Sequence, residues 1–309
     1  MPAVQPRRHS SHQHRLHAVL RHIDEHLAEP LNLVPLAGLA CLSPFHFHRL
    51  FAAWTGETLG DYVQRRRIEL AAVRLAAQPR LAVLEAALAV GFGSGEAFSR
   101  AFRRHLGCSP SQWRRQGGRQ NSNPDQVNRN GDQARHASAA NNGHSFAEFD
   151  AMPVQLITRP PTPIAYLRYE GPYGPPLQRF WLQQVQPWLR RLGLQQQPQF
   201  GLSHDDPQIS DPERCRYDAC VALPPGFAGP SDLLLSELPG GRYACLPFHG
   251  TASQIGAAWT ALLRDWMPLS GWQLDARPCF EYYPAESSSG SSDTSGAFGC
   301  DICVPVAAL

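Results

Sequence analysis

Residues 45–56 and 96–107 are two copies of one segment, 51 positions apart. Phe47 aligns with Phe98, Leu50 with Ala101, Phe51 with Phe102, Trp54 with His105 and Gly56 with Gly107. These positions follow i, i+3, i+4, i+7, the apolar stripe of one helix, so they are expected to be core. The opposite face carries Phe45, His48, Arg49 and Ala52 in the first copy, and Glu96, Ser99, Arg100 and Arg103 in the second. Arg49 and Arg100 coincide. A core that repeats with a polar face that varies, but keeps one arginine, constrains the N-terminal third to a duplicated helical unit.

The helix boundaries are written in the punctuation. Ser43-Pro44 and Ser109-Pro110 place a capping hydroxyl before a proline at the first helical position. Ser94 starts the second-copy helix; Gly56 and Gly107 suit left-handed C-terminal positions. Thr58 with Asp61 resembles a capping box opening a long helix through "DYVQRRRIELAAVRLAAQ". A helix over 11–29 stops at Pro30. Asn32 is placed to cap a short helix before the first copy, and 81–90 forms its counterpart before the second. Each unit is therefore a short helix, a tight turn and a longer helix, the geometry that lays a helix in a DNA major groove. Arginine on that helix can donate twice to guanine, and Phe45 can meet a thymine methyl. Two linked units can read successive major grooves about 34 Å apart.

Charge agrees. Net charge is only +2, but residues 1–120 hold 16 Arg against 8 acids and residues 121–309 hold 12 Arg against 18 acids. A basic part joined to an acidic part suits a double-stranded DNA partner for the first. Between them, residues 117–145 carry Val127 as their sole large aliphatic residue, too little apolar surface to offset ordering entropy. The expected layout is a DNA-binding domain over 10–116, a flexible linker over 117–145 and a second domain over 146–309.

"LSPFHFHRLFAAWTGETLGDYVQRRRIELAAVRLA" with "LEAALAVGFGSGEAFSRAFRRHLGCSPSQWRR" resembles the DNA-binding domain of AraC/XylS transcription regulators. The resemblance implies an all-α domain of two helix-turn-helix units joined by one long helix. It implies base-reading positions Phe45, His48, Arg49, Ser99 and Arg100, with Glu96 and Arg103 on the groove or backbone side. His46 is read as a surface or phosphate-contacting residue. Glu96 departs from the neutral residues usual there, and a carboxylate beside phosphates repels them unless it accepts from cytosine N4. RNA polymerase is the partner such a regulator implies.

The second domain alternates strands and amphipathic helices and repeats internally at an offset near 79. "AYLRYEG" meets "ACLPFHG", "PWLRRLGL" meets "DWMPLSGW", and "PQFGLSHDDP" meets "PCFEYYPAES". Two strand–helix–strand copies suggest a pseudo-twofold α+β domain with an antiparallel sheet and helices on one face. The stretch resembles the GyrI-like, AraC-type effector-binding domain, which implies a cleft between the halves for small organic molecules, often cationic and aromatic. Glu281 matches that family's pocket glutamate. Within "FEYY", Glu281 and Tyr283 share one strand face, and a carboxylate among rings suits a cation. Tyr169, Tyr173, Phe248, Trp259 and Tyr283 are candidate walls of this effector site. The alternative for each ring is a place in the core, and for Glu281 an exposed charge. Residues 286–296 are expected to be an exposed flexible loop.

Other chemistry finds less support. His22 with His26, and His46 with His48, lack further ligands at compact spacing, so no metal is expected. Cys300 and Cys303 form a CxxC in a strand-like run, which puts them on opposite faces and opposes chelation. No catalytic residues and no cofactor are expected. No apolar run of membrane-spanning length and no secretory signal is read, and the eight cysteines suit reduced thiols in a cytoplasmic, nucleoid-associated protein. The expected function is a sequence-specific transcription regulator, activator or repressor, responding to a small effector. Two alternatives stay open: a hydrolytic protein using Glu281 and Tyr283 as an acid/base pair, and a small-molecule-binding module whose DNA binding is secondary.

Overall fold

A computed structural model describes residues 7–118, 152–275, 277–285 and 297–308. Of the linker expected over 117–145, residues 119–145 lie outside the described residues, as does the loop expected over 286–296.

Among the described residues seven helices make the N-terminal domain: α1 Arg7–Glu25, α2 Leu33–Leu39, α3 Pro44–Thr55, α4 Leu59–Ala77, α5 Val83–Ala89, α6 Gly95–Leu106 and α7 Pro110–Arg115. Hydroxyl caps set the starts: Ser43 accepts from the His46 amide, Thr58 from Asp61, Ser94 from Ala97 and Ser109 from Gln112. Gly56 and Gly107 end α3 and α6 at φ 73° and 75°, a conformation that costs glycine nothing. Asn32 stands at the α2 N-cap, but its side chain makes no capping bond. The Thr58 hydroxyl donates to the Asp61 carboxylate at 2.7 Å, a shorter reach than the reciprocal backbone bond of a full capping box.

Two aromatic cores form under the repeat. Phe47, Phe51 and Tyr62 pack with Leu16, Leu20 and Ile23 of α1; Phe98, Phe102 and Trp113 pack with Ile68 and Leu75. The helix α4 serves both, through Leu59, Tyr62 and Val63 near its start and Ile68, Ala72 and Leu75 further on. The Trp113 indole donates to the Ala72 carbonyl at 2.9 Å, pinning α7 to α4. His105, expected in the core, is exposed; Leu106 is buried at the end of α6 instead. Histidine has a polar ring to satisfy, and rotation by one residue exchanges it for leucine.

The second domain is one antiparallel sheet in the order β1-β6-β9-β8-β3-β4-β2-β5, with β7 attached to β9. The strands are β1 Gln155–Arg159, β2 Thr162–Glu170, β3 Gln199–Ser203, β4 Arg216–Ala222, β5 Leu234–Leu238, β6 Gly241–Gly250, β7 Trp272–Leu274, β8 Phe280–Tyr283 and β9 Phe298–Ala308. Read outward from the β8–β3 seam, each half repeats the other, as the internal repeat requires. The segment read as one helix over 177–194 starts at Pro175 and divides into α8 Pro175–Phe180, a π-helical turn Trp181–Val185 and α9 Gln186–Leu192. Its counterpart is α10 Ile255–Thr260 followed by a π-helical turn Ala261–Trp266. Both helical segments cover one sheet face: Trp188 and Leu189 pack on Ala165 and Val221, and Leu262 and Met267 on Leu246 and Ile302. The other face has its own core of Tyr166, Phe200, Tyr243 and Phe280.

Cys300 and Cys303 face opposite cores, as a strand dictates. The partner of Cys303 is Cys245, directly across on β6, with the Sγ atoms 2.9 Å apart.

The domains meet along α4. Ile209, from the loop between β3 and β4, is buried within the α4–α7 core. Ala77 is buried against the sheet domain, and the Gln78 amide donates to the Leu274 carbonyl at 3.1 Å. The two domains are therefore in direct contact through α4.

Candidate functional site

On the helical domain, Phe45, His46, His48 and Arg49 are all exposed on α3. Phe45 is 73% exposed although apolar, and the Arg49 guanidinium lies 5.8 Å from its ring centre. On α6, Glu96, Arg100 and Arg103 are exposed and Ser99 is partly so. Arg100 and Glu96 approach to 3.8 Å one helical turn apart, in an open pair that contributes little stability. Two helices thus present an arginine each at equivalent positions, with phenylalanines buried beneath.

In the sheet domain, Glu281 lies on β8 beside the seam and faces the helices. It is only 6% exposed. Its carboxylate accepts from Tyr217 Oη at 2.8 Å, Tyr283 Oη at 2.9 Å and Trp259 Nε1 at 3.1 Å. Burial raises its pKa above the ordinary carboxylate range; the three donors pull it back only in part. Among the described residues no arginine or histidine is ion-paired with it. Trp181 closes another side, 5.5 Å from the Tyr283 ring and donating to Tyr217 Oη at 3.3 Å. The Tyr217 and Tyr283 phenols are held well above their usual pKa by burial and by the neighbouring carboxylate, so they stay neutral donors.

These groups line a cavity of about 1650 Å³. The expected residues divide. Glu281, Tyr283, Trp259 and Tyr173 line it, and Tyr173 meets the Tyr217 ring edge-on at 6.0 Å. Tyr169 and Phe248 do not. Tyr169 packs at a tilt against Phe180 and donates to the Pro172 carbonyl, and Phe248 lies behind Phe298, which takes the wall position. Tyr217, Trp181 and Phe298 were not anticipated. Trp181 stands within one residue of the repeat counterpart of Trp259, a signal present in the sequence. Tyr217 sits in the buried run "RYDACVA" and carried none.

The cavity extends to the helical domain, where Asp24, Arg66 and Glu69 border it. There Arg216 donates to Asp24 at 2.8 Å, to Tyr62 Oη at 2.6 Å and to Asp205 at 3.0 and 3.1 Å. Arg66 donates to Asp24 at 3.0 Å, to Glu69 at 2.8 Å, to the His204 carbonyl at 2.9 Å and to Asp205. Burial would raise the Asp24 carboxyl, but Arg216 and Arg66 overcome it and hold it down at about 2.

Residues 152–307 match the GyrI-like small molecule binding domain, and residues 36–116 match a helix-turn-helix domain. The regulatory protein SoxS of Escherichia coli K12 is 38% identical over 104 residues, 34% of this chain and 96% of that protein. A DNA gyrase inhibitor of Cronobacter sakazakii is 31% identical over 127 residues, 40% of this chain and 78% of that protein. The DNA-binding domain of AdpA, solved with a target DNA, is 34% identical over 33% of this chain and 91% of that one, with a TM-score of 0.31. A double helix-turn-helix reader joined to a small-molecule domain defines a ligand-responsive, DNA-binding transcription regulator. The chain belongs to the GyrI-like family and, through its helical domain, to the AraC family of regulators.

Proposed function

We propose that α3 and α6 read operator bases through Arg49 and Arg100, and that Glu281 binds an organic cation with aromatic character. Phe45, His48 and Ser99 are the further base contacts, while His46 and Arg103 serve phosphates. Glu96 lies beside Arg100 in the free protein and accepts from cytosine N4 when bound. The observation that carries the sensor reading is a buried carboxylate that has no cationic partner among the described residues and is surrounded by Trp181, Tyr217, Trp259 and Tyr283. A soft organic cation supplies the missing charge and stacks on those rings. Tyr173 forms part of the wall.

The site favours binding over catalysis. Tyr217 and Tyr283 spend their protons on Glu281, and the thiol beside Tyr283, Cys300, is pushed up by burial and stays protonated, a poor nucleophile for an acid/base mechanism. RNA polymerase is the partner through which DNA occupancy acts, and the cytoplasm is the compartment where both are found. No helix among the described residues is long and apolar enough to cross a membrane.

The test is titration of the full chain with tetraphenylphosphonium, followed by tryptophan fluorescence, in wild type and Glu281→Gln. Quenching by wild type with at least tenfold weaker binding by the variant is expected. Equal binding removes Glu281 from the site.

A further inference from the structure

Neighbouring residues on β4 face two different sites. Tyr217 points to the cavity and donates to Glu281 at 2.8 Å. Arg216 points to the helical domain, bonding Asp24 on α1 and Tyr62 on α4 at 2.8 and 2.6 Å. Successive strand side chains alternate, so one displacement of this strand end moves both. Tyr173 ties the same point: its hydroxyl donates to the Arg216 carbonyl while its ring meets Tyr217. The loop leading into β4 reaches further, placing Asp205 between Arg66 and Arg216 and Ile209 in the α4–α7 core.

We propose that the start of β4 couples cation binding at Glu281 to DNA affinity, with Tyr217 and Arg216 as its positioning residues. The coupling rests on the reading of Glu281 as the cation site. A cation drawn to the carboxylate competes with the Tyr217 hydroxyl for it, and a ring entering between Trp181 and Trp259 crowds the phenol. A buried hydroxyl deprived of its acceptor is costly, so Tyr217 takes a new position and carries β4 with it. Arg216 then cannot keep Asp205, Asp24 and Tyr62 at once. Breaking with Asp24 and Tyr62 releases α1 and α4, the helix shared by both readers. A packed ionic interface of this kind switches between arrangements rather than deforming smoothly. The ligand acts only as far as it binds one arrangement better, and DNA must act back on the ligand by the same factor.

The experiment uses the full chain, a duplex selected by the wild-type protein from a random pool, and tetraphenylphosphonium as the probe. In wild type, saturating probe should change the dissociation constant for DNA by about 5- to 150-fold, and DNA should change probe affinity equally. The double variant Asp24→Asn/Tyr62→Phe keeps the Arg216–Asp205 pair. It should bind probe within about twofold of wild type while the coupling factor falls toward one. Tyr62→Phe alone, which removes a single hydroxyl and is expected to fold, should give an intermediate factor. A wild-type factor in either variant overturns the proposal. Probe binding through Glu281 with no effect on DNA in wild type overturns the coupling and leaves the site standing. Probe binding indifferent to Glu281→Gln removes the site and the coupling together.

Discussion

Gly201 and Tyr217 share one space: a Cβ on Gly201 would lie 1.7 Å from Tyr217 Oη and 2.7 Å from the Glu281 carboxylate. Gly201 pairs with Glu281 across β3 and β8, so the seam is bare of a side chain where the phenol must pass. Gly201→Ala should push Tyr217 off Glu281. Loss of about 1–3 kcal/mol in stability, as for an overpacked core, is expected in chemical denaturation, together with weakened tetraphenylphosphonium binding. Unchanged stability would show that the phenol has another place to go.

Arg49→Ala and Arg100→Ala should each cost about 1–3 kcal/mol in operator binding and relax base preference at their own half-site. The two losses should fall at positions about one helical turn of DNA apart, which a binding-selection experiment on each variant reads directly. Glu96→Gln should bind non-specific DNA more tightly, because a repelling charge leaves the groove face.

Cation binding should strengthen with rising pH. A cation binds the ionised carboxylate, protons compete for it, and burial raises the Glu281 pKa above its ordinary 4.5. Affinity for tetraphenylphosphonium therefore keeps climbing above the pH where an exposed glutamate would have levelled off. Glu281→Gln should flatten the profile.

The domain interface should fail in acid by a different group. Asp24 is depressed from 3.8 to about 2, so its contribution is complete above pH 4 and is lost as pH falls through about 2. Facing it are Arg66, Arg216, Tyr62 and His204. Tyr62 is pushed up to about 12 and stays neutral in this range. Amide exchange in α1 and α4 should rise over that interval, and Asp24→Asn should weaken the dependence, with Asp205, held lower still by Arg216 and Arg66, supplying the remainder.

Much of this was legible in the sequence because it rests on periodicity. The repeat fixed Phe47, Phe51, Phe98 and Phe102 as core and exposed Arg49 and Arg100, since a helix has only one buried stripe to offer. His105 broke the pattern because alignment of a repeat cannot weigh an imidazole against the leucine beside it. In the sheet domain, alternation placed Glu281 and Tyr283 on one face and separated Cys300 from Cys303. Tyr217, Ile209 and the Asp24–Arg216 pair escaped, since their partners lie 64 to 192 positions away and no local spacing encodes a contact between domains. Tyr169 and Phe248 misled for the converse reason: an aromatic ring in a strand looks the same whether it lines a cavity or fills a core.

The shared use of α4 bears on how such a protein can be rebuilt. Its start belongs to one reader, its middle to the other, and Arg66 and Ala77 to the sheet domain. Grafting a foreign sensor onto residues 7–118 would strip Ile209 from the α4–α7 core and strand Arg66 beside Asp24 and Glu69. Grafting a foreign reader onto residues 152–308 would leave Arg216 with Asp205 alone. Chimeras joined between the two domains, the obvious seam in the sequence, still sever the Arg216 and Arg66 contacts that bind the sheet domain to α1 and α4.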